Sequence, residues 1–80
     1  MFEDAPVEDL AAWHNGRTGS EAMAVIVRRN PNRTCEVEVR THGVPRLQEQ
    51  LTEANAFALA ADIRRAARGL WQRADVPVRT

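Results

Sequence analysis

Few side chains in this chain can do chemistry: one serine, one cysteine and two histidines. Ser20 sits beside Gly19 in the stretch NGRTGS, with no base next to it in sequence. A serine–histidine pair would therefore have to be assembled by the fold from His14 or His42. Cys35 could supply a thiolate nucleophile, yet it alternates with Val37 and Val39 and shares their apolar face. A cysteine placed that way packs as an inert core residue. Glu36 and Glu38 form a carboxylate pair on the other face of the same run, in the alternation of a solvated strand. One cysteine and two histidines would need carboxylates to complete a zinc site. A phosphate loop would need glycine ahead of a helix, where this chain has Glu49-Gln50-Leu51-Thr52. These residues imply no catalysis, no metal and no cofactor.

The arginines are the other chemically active set. Arg28, Arg29 and Arg33 surround a turn, and Arg64, Arg65 and Arg68 follow one another along a helix. A β-ribbon or a helix carrying such groups can enter the major groove of DNA. Against that, Glu36, Glu38 and Asp62 interleave with the arginines, and the pI of about 6.7 is far from the strongly basic balance of a DNA-binding domain. The chain also has no aromatic-rich strand for stacking on single strands. Nucleic-acid binding through these six arginines is the alternative reading, and solvated charge is the preferred one. Trp13 and Trp71, with Leu10 and Leu70 beside them, are the candidate protein interface, since tryptophan concentrates binding energy at contacts.

Eighty residues form one domain with a thin core. Small domains compensate with disulfides, metals or a second subunit, and a lone cysteine leaves the second subunit. No run approaches the roughly 18 apolar residues that would span a membrane. The start, MFEDAPVEDL, is acidic where a signal peptide would be basic, so a cytoplasmic location is expected. All eleven basic residues are arginine, thirteen residues are alanine, and lysine and tyrosine are absent, the imprint of GC-rich coding. Net charge is zero but uneven, with five acids against Arg17 in residues 1–21 and ten arginines against six acids in residues 22–80. The two parts should attract each other, within one chain or across a dimer.

The elements that must position these residues follow from periodicity. Residues 1–21 read as an N-terminal arm: Pro6 opens a short helix, Val7, Leu10 and Ala11 share its face, and Asn15-Gly16 stops it. Ala22 to Arg29 is a first strand, Asn30-Pro31-Asn32-Arg33 a turn, and Thr34 to Thr41 a second strand. On that second strand Cys35, Val37 and Val39 face the core, and Thr34, Glu36, Glu38 and Arg40 face water. After Gly43 and Pro45, Arg46 to Leu51 forms a third strand whose apolar face is interrupted by Glu49. Thr52 is an N-cap, and Ala56, Leu59, Ala60, Ile63, Ala66, Ala67 and Leu70 recur at helical spacing, predicting a helix from Glu53 to Arg73. The tail from Asp75 to Thr80 is loose.

Such a helix would be about 31 Å long and would outrun strands of about 25 Å. Leu70 and Trp71 would overhang the sheet, covered by Leu10 and Trp13 of the arm or by a second copy.

Leu51, Thr52, Glu53, Leu59, Ala60, Ala66 and Ala67, following alternating strands, resemble a pattern of small proteins of actinobacteria and their phages. The likeness covers residues 34–70 and implies a fold and a kind of genome, not an activity. The expected architecture is α+β: a two- or three-stranded antiparallel meander, one long helix and an N-terminal arm. The expected function is a non-catalytic protein–protein interaction module, a homodimer, in its most concrete form a phage-encoded or accessory regulator of a host protein.

Overall fold

The structure, a computed structural model, describes residues 8–42, 44–67 and 69–74. Five strands make one antiparallel sheet: β1 (Glu8–His14), β2 (Met23–Arg29), β3 (Cys35–Thr41), β4 (Val44–Gln50) and β5 (Gln72–Ala74). Their order across the sheet is β4-β3-β2-β1-β5. One helix, α1 (Glu53–Ala66), packs on one face. The α+β class is as anticipated; the number of strands and the length of the helix are not.

The valine-rich run of β2 pairs along its whole length with β3, joining Val25 to Val39 and Val27 to Val37. Those valines, with Ala11, Trp13 and Cys35, form the sheet side of the core. From the helix, Ala56 and Ala60 are fully buried, because a residue without bulk lets the helix backbone come close to the strands. Phe57, Leu59 and Ile63 flank that line and pack against the same cluster. The N-cap is the expected one: Thr52 Oγ1 accepts from the backbone N–H of Asn55 at 3.1 Å.

Residues 8–14 are strand, not helix. Leu10 and Ala11 suggested a helical step, but Ala11 and Trp13 point inward at a spacing of two, with a bulge between Asp9 and Ala11 resetting the register. A helix of about nine residues is marginal by itself, and a strand here completes hydrogen bonding along β2 and offers an edge to β5. The Pro6 and Val7 portion of the arm lies outside the described residues.

The helix is 14 residues long and ends at Ala66, short of the expected Arg73. Ala67 is already extended, with ψ 135°, although its N–H still reaches the carbonyl of Ile63 at 3.0 Å. Gly69 then adopts φ +146°, against Asn15, where a Cβ would lie 2.8 Å from the Asn15 carbonyl oxygen. That passage lets the chain come back beside β1. Trp71 is half-buried against the core, and its indole N–H donates to the Ala67 carbonyl at 3.2 Å, satisfying one of the unpaired groups of the helix end. Residues 72–74 pair with Ala12, Trp13 and His14. Tertiary burial and strand pairing override the helical propensity of the alanine-rich run. No overhang arises, because α1 is about 21 Å long, within the span of seven-residue strands. The expected loose tail at 75–80 lies outside the described residues.

Candidate functional site

The face of the sheet opposite α1 carries charge at its centre. Arg28 stands on β2, the middle strand, directly across from Asp9 of β1 and Glu36 of β3. Its Nε donates to Asp9 Oδ1 at 2.7 Å, its NH1 donates to Glu38 Oε1, and Glu36 Oε2 lies 3.9 Å away. Glu38 in turn accepts from Arg40 Nε at 2.9 Å. Arg28 and Glu38 are 7% and 5% exposed, so this cluster is buried and not the solvated alternation that the sequence suggested for Glu38. Alternation shows only which face a residue takes; oppositely charged neighbours on adjacent strands can satisfy each other and leave water.

Burial works against the charged form of Arg28, but its bonds and the charges of Glu38 and Asp9 outweigh that, holding it above the ordinary arginine value. Burial likewise pushes Glu38 upward, and the bonds to Arg28 and Arg40 outweigh it, leaving its carboxyl below the ordinary range. Among the described residues no buried side-chain nitrogen or oxygen lacks a partner. An acid–base catalyst needs access to substrate; Arg28 and Glu38 are enclosed and bonded to each other.

The nucleophile candidates are not brought together. Cys35 is in the core at the start of β3, paired across to Gln50, whereas Thr41 and His42 lie at the other end of that strand. Six residues of extended chain put the two ends about 20 Å apart. His14 is exposed, and its Nδ1 accepts from the N–H of Gly16 at 2.9 Å. Ser20 is exposed in a single 3₁₀ turn, Gly19–Glu21. Among the described residues no group of three or more His, Cys, Asp and Glu side chains could hold a metal ion.

The six arginines of the nucleic-acid reading are scattered. Arg28 is enclosed on the open face; Arg29, the last residue of β2, is bonded to Glu53 at the start of the helix and, at 3.5 Å, to Glu8. Arg65 is paired with Asp62. Arg64 stacks over the ring of Trp13 at 4.0 Å, with Arg73 at 5.2 Å from the same ring. Arg33 is exposed at the β2–β3 turn with φ 73°, and Arg68 lies outside the described residues.

The four expected interface residues do not share a surface either. Trp13 is buried between Arg64, Arg73 and the edge of Phe57, whose ring centroid is 6.1 Å away. Leu10 and Trp71 pack against the same core, and only Leu70 stands out, 81% exposed. Asn15, read in sequence as a helix stop, instead organises the loop after β1. Its Oδ1 accepts from Arg17 N and Met23 N, each at 3.1 Å, and its Nδ2 donates to the Glu21 carbonyl at 2.8 Å.

The surface that sequence reasoning missed is β4. Six of its seven residues are exposed, and its outer edge pairs with no described strand. Leu47, 56% exposed, projects on the open face opposite Glu38, and Val44 stands exposed at the start of the strand. The signal was Glu49: an acid in the middle of an apolar face marks a strand that the core does not cover. Comparison with family models, curated proteins and solved structures returned no match.

Proposed function

We propose that this protein is a small non-catalytic protein–protein interaction module that works as a homodimer, with β4 as its contact in place of Leu70 and Trp71. The observation that carries this reading is the seven-residue edge strand, exposed on both sides, with Leu47 and Val44 in water. Soluble proteins shorten, cover or charge their sheet edges, because a free edge recruits another strand. Among the described residues the opposite edge, β5, is three residues long. The resemblance of the helix region to small actinobacterial and phage proteins supports placing such a module as an accessory regulator of another protein. Burial of Arg28 and the pairing of Arg29 and Arg65 weigh against the nucleic-acid alternative. No described helix is long and apolar enough to cross a membrane. Sedimentation equilibrium tests the reading: it should return twice the 9.0 kDa chain mass, and a monomer at about 100 μM, a level at which even weak dimers associate, would overturn it.

A further inference from the structure

The hydrogen-bonding parity of β4 fixes which of its backbone groups are free. β3 and β4 are joined by residues 42 and 43 alone, with Thr41 opposite Val44 and His42 at φ 54°. In such a two-residue hairpin the flanking pair exchanges hydrogen bonds, and pairs then alternate along the ladder. Pro45 agrees with this phase: it has no N–H to donate, and it falls opposite Arg40 at a position that needs none. Val44, Arg46, Gln48 and Gln50 therefore bond to β3. The outer edge presents the carbonyls of Pro45, Leu47 and Glu49, and the N–H groups of Leu47 and Glu49.

From this we infer that two copies of the chain join β4 to β4 antiparallel about a two-fold axis at Leu47, making one continuous ten-stranded sheet. The inference rests on the homodimer reading and gives it a register. With Leu47 opposite its own copy, the two residues exchange two hydrogen bonds. The N–H of each Glu49 meets the Pro45 carbonyl of the other copy, giving two more. Pro45 has no N–H for the Glu49 carbonyl facing it, so that carbonyl is left to water and each of these outer pairs contributes one hydrogen bond in place of two. Side chains match as well: Leu47 meets Leu47, Arg46 faces Gln48, and no like charges stand directly opposite each other. Neighbouring registers are worse. An axis at Glu49 opposes two carboxylates, an axis at Arg46 opposes two guanidinium groups, and an axis at Gln48 sets Leu47 against Glu49. The contact is isologous, so it closes at two copies.

Leu47→Pro is the decisive variant. It removes one outward N–H and one exposed side chain while leaving the bonds to β3, as Pro45 already does two residues earlier. Sedimentation equilibrium should show wild-type dimer and a Leu47→Pro protein whose dimer dissociation constant rises at least tenfold, with an unchanged far-ultraviolet circular dichroism spectrum. Leu47→Lys, which keeps the N–H, should weaken the dimer by repulsion across the axis. In a Cys35→Ala background, Leu47→Cys should cross-link to its own copy under mild oxidation and Gln48→Cys should not. A dimer that tolerates both Leu47 changes overturns the β4 contact and leaves the homodimer reading standing. A wild-type monomer overturns both. Preferential cross-linking at Gln48 overturns the register.

Discussion

Arg28 is the residue whose environment was least visible in the chain. Its neighbours in sequence, Val27 and Arg29, suggest the exposed end of a strand, and the acids that hold it come from two other strands, at Asp9 and Glu38. Sequence alternation gave Arg28 and Glu38 their faces, but not the diagonal contact between them, and Asp9 was read as part of a helical arm. A guanidinium left buried without its carboxylates costs more than the pair contributes, so the arrangement is all-or-none. Glu38→Ala leaves Arg28 its bond to Asp9 at 2.7 Å, so it should destabilise the fold by roughly 1–3 kcal/mol in urea titrations, less than the cost of orphaning a buried charge outright. Acid should act on the same contact. The folded protein holds Glu38 below its ordinary value of 4.5, so the unfolded chain takes up the proton more readily. Stability from this group is complete above the unfolded value and is lost as pH falls through the folded one. Arg28 is held above its ordinary value, so its charge is intact throughout the neutral and acid range. The urea midpoint should therefore be level from neutral pH to about 5 and decline below it, and Glu38→Gln should flatten part of that decline. An undiminished acid slope in Glu38→Gln would assign the effect to other carboxylates.

Elements with one dominant period were legible, and those whose period competes with a tertiary demand were not. β2 and β3 come within a residue of the expected strands because their valines alternate without interruption. The start of α1 was marked by Thr52, whose cap the structure contains. Its end was hidden, since Ala66 and Ala67 are good helix formers; the chain turns extended at Ala67 and then passes Gly69 against Asn15, far away in sequence. β1 was misread for a related reason: Leu10 and Ala11 fit a helical step, and the bulge between Asp9 and Ala11 disguises a spacing of two. Trp13 and Trp71 were rightly singled out as large apolar groups needing cover, but the cover is the chain's own helix and core. The Gly69 passage is therefore what creates β5. Gly69→Ala would place a Cβ 2.8 Å from both the Cβ and the carbonyl oxygen of Asn15, at φ +146°, where L side chains are strained. The expected loss is about 1–3 kcal/mol, the range for a residue forced into a disfavoured backbone region. Amide exchange should show it concentrated at residues 72–74 and along the outer edge of β1. Uniform loss of protection across all five strands would mean that β5 does not open separately.

At the scale of the whole molecule, charge is balanced locally as well as in total. The acids of residues 8–21 do meet arginines of the later chain, Glu8 with Arg29 and Asp9 with Arg28, as the uneven distribution along the sequence suggested. This pairing is within one chain and converts what looked like a basic remainder into ion pairs. Of the six arginines that might have faced phosphate, Arg28, Arg29 and Arg65 are bonded to carboxylates, and Arg64 is stacked on Trp13. Arg33 and Arg64 also belong to different parts of the surface, the β2–β3 turn and the last turn of the helix, so they present no continuous stripe. Affinity for duplex DNA grows with the number of phosphates neutralised, and its fall with salt reports that number. With most of its described guanidinium groups committed to carboxylates or to the Trp13 ring, the protein should bind non-specific duplex no tighter than about 10⁻⁴ M at roughly 150 mM salt, with a shallow salt slope. Fluorescence anisotropy with a labelled duplex measures both. Arg33→Ala should change little, because one phosphate contact cannot support a complex. Sub-micromolar binding that weakens steeply with salt, and that Arg33→Ala reduces, would instead require the carboxylate-paired arginines to release their partners on contact with DNA. In that event the ion pairs would be a latch on a nucleic-acid surface.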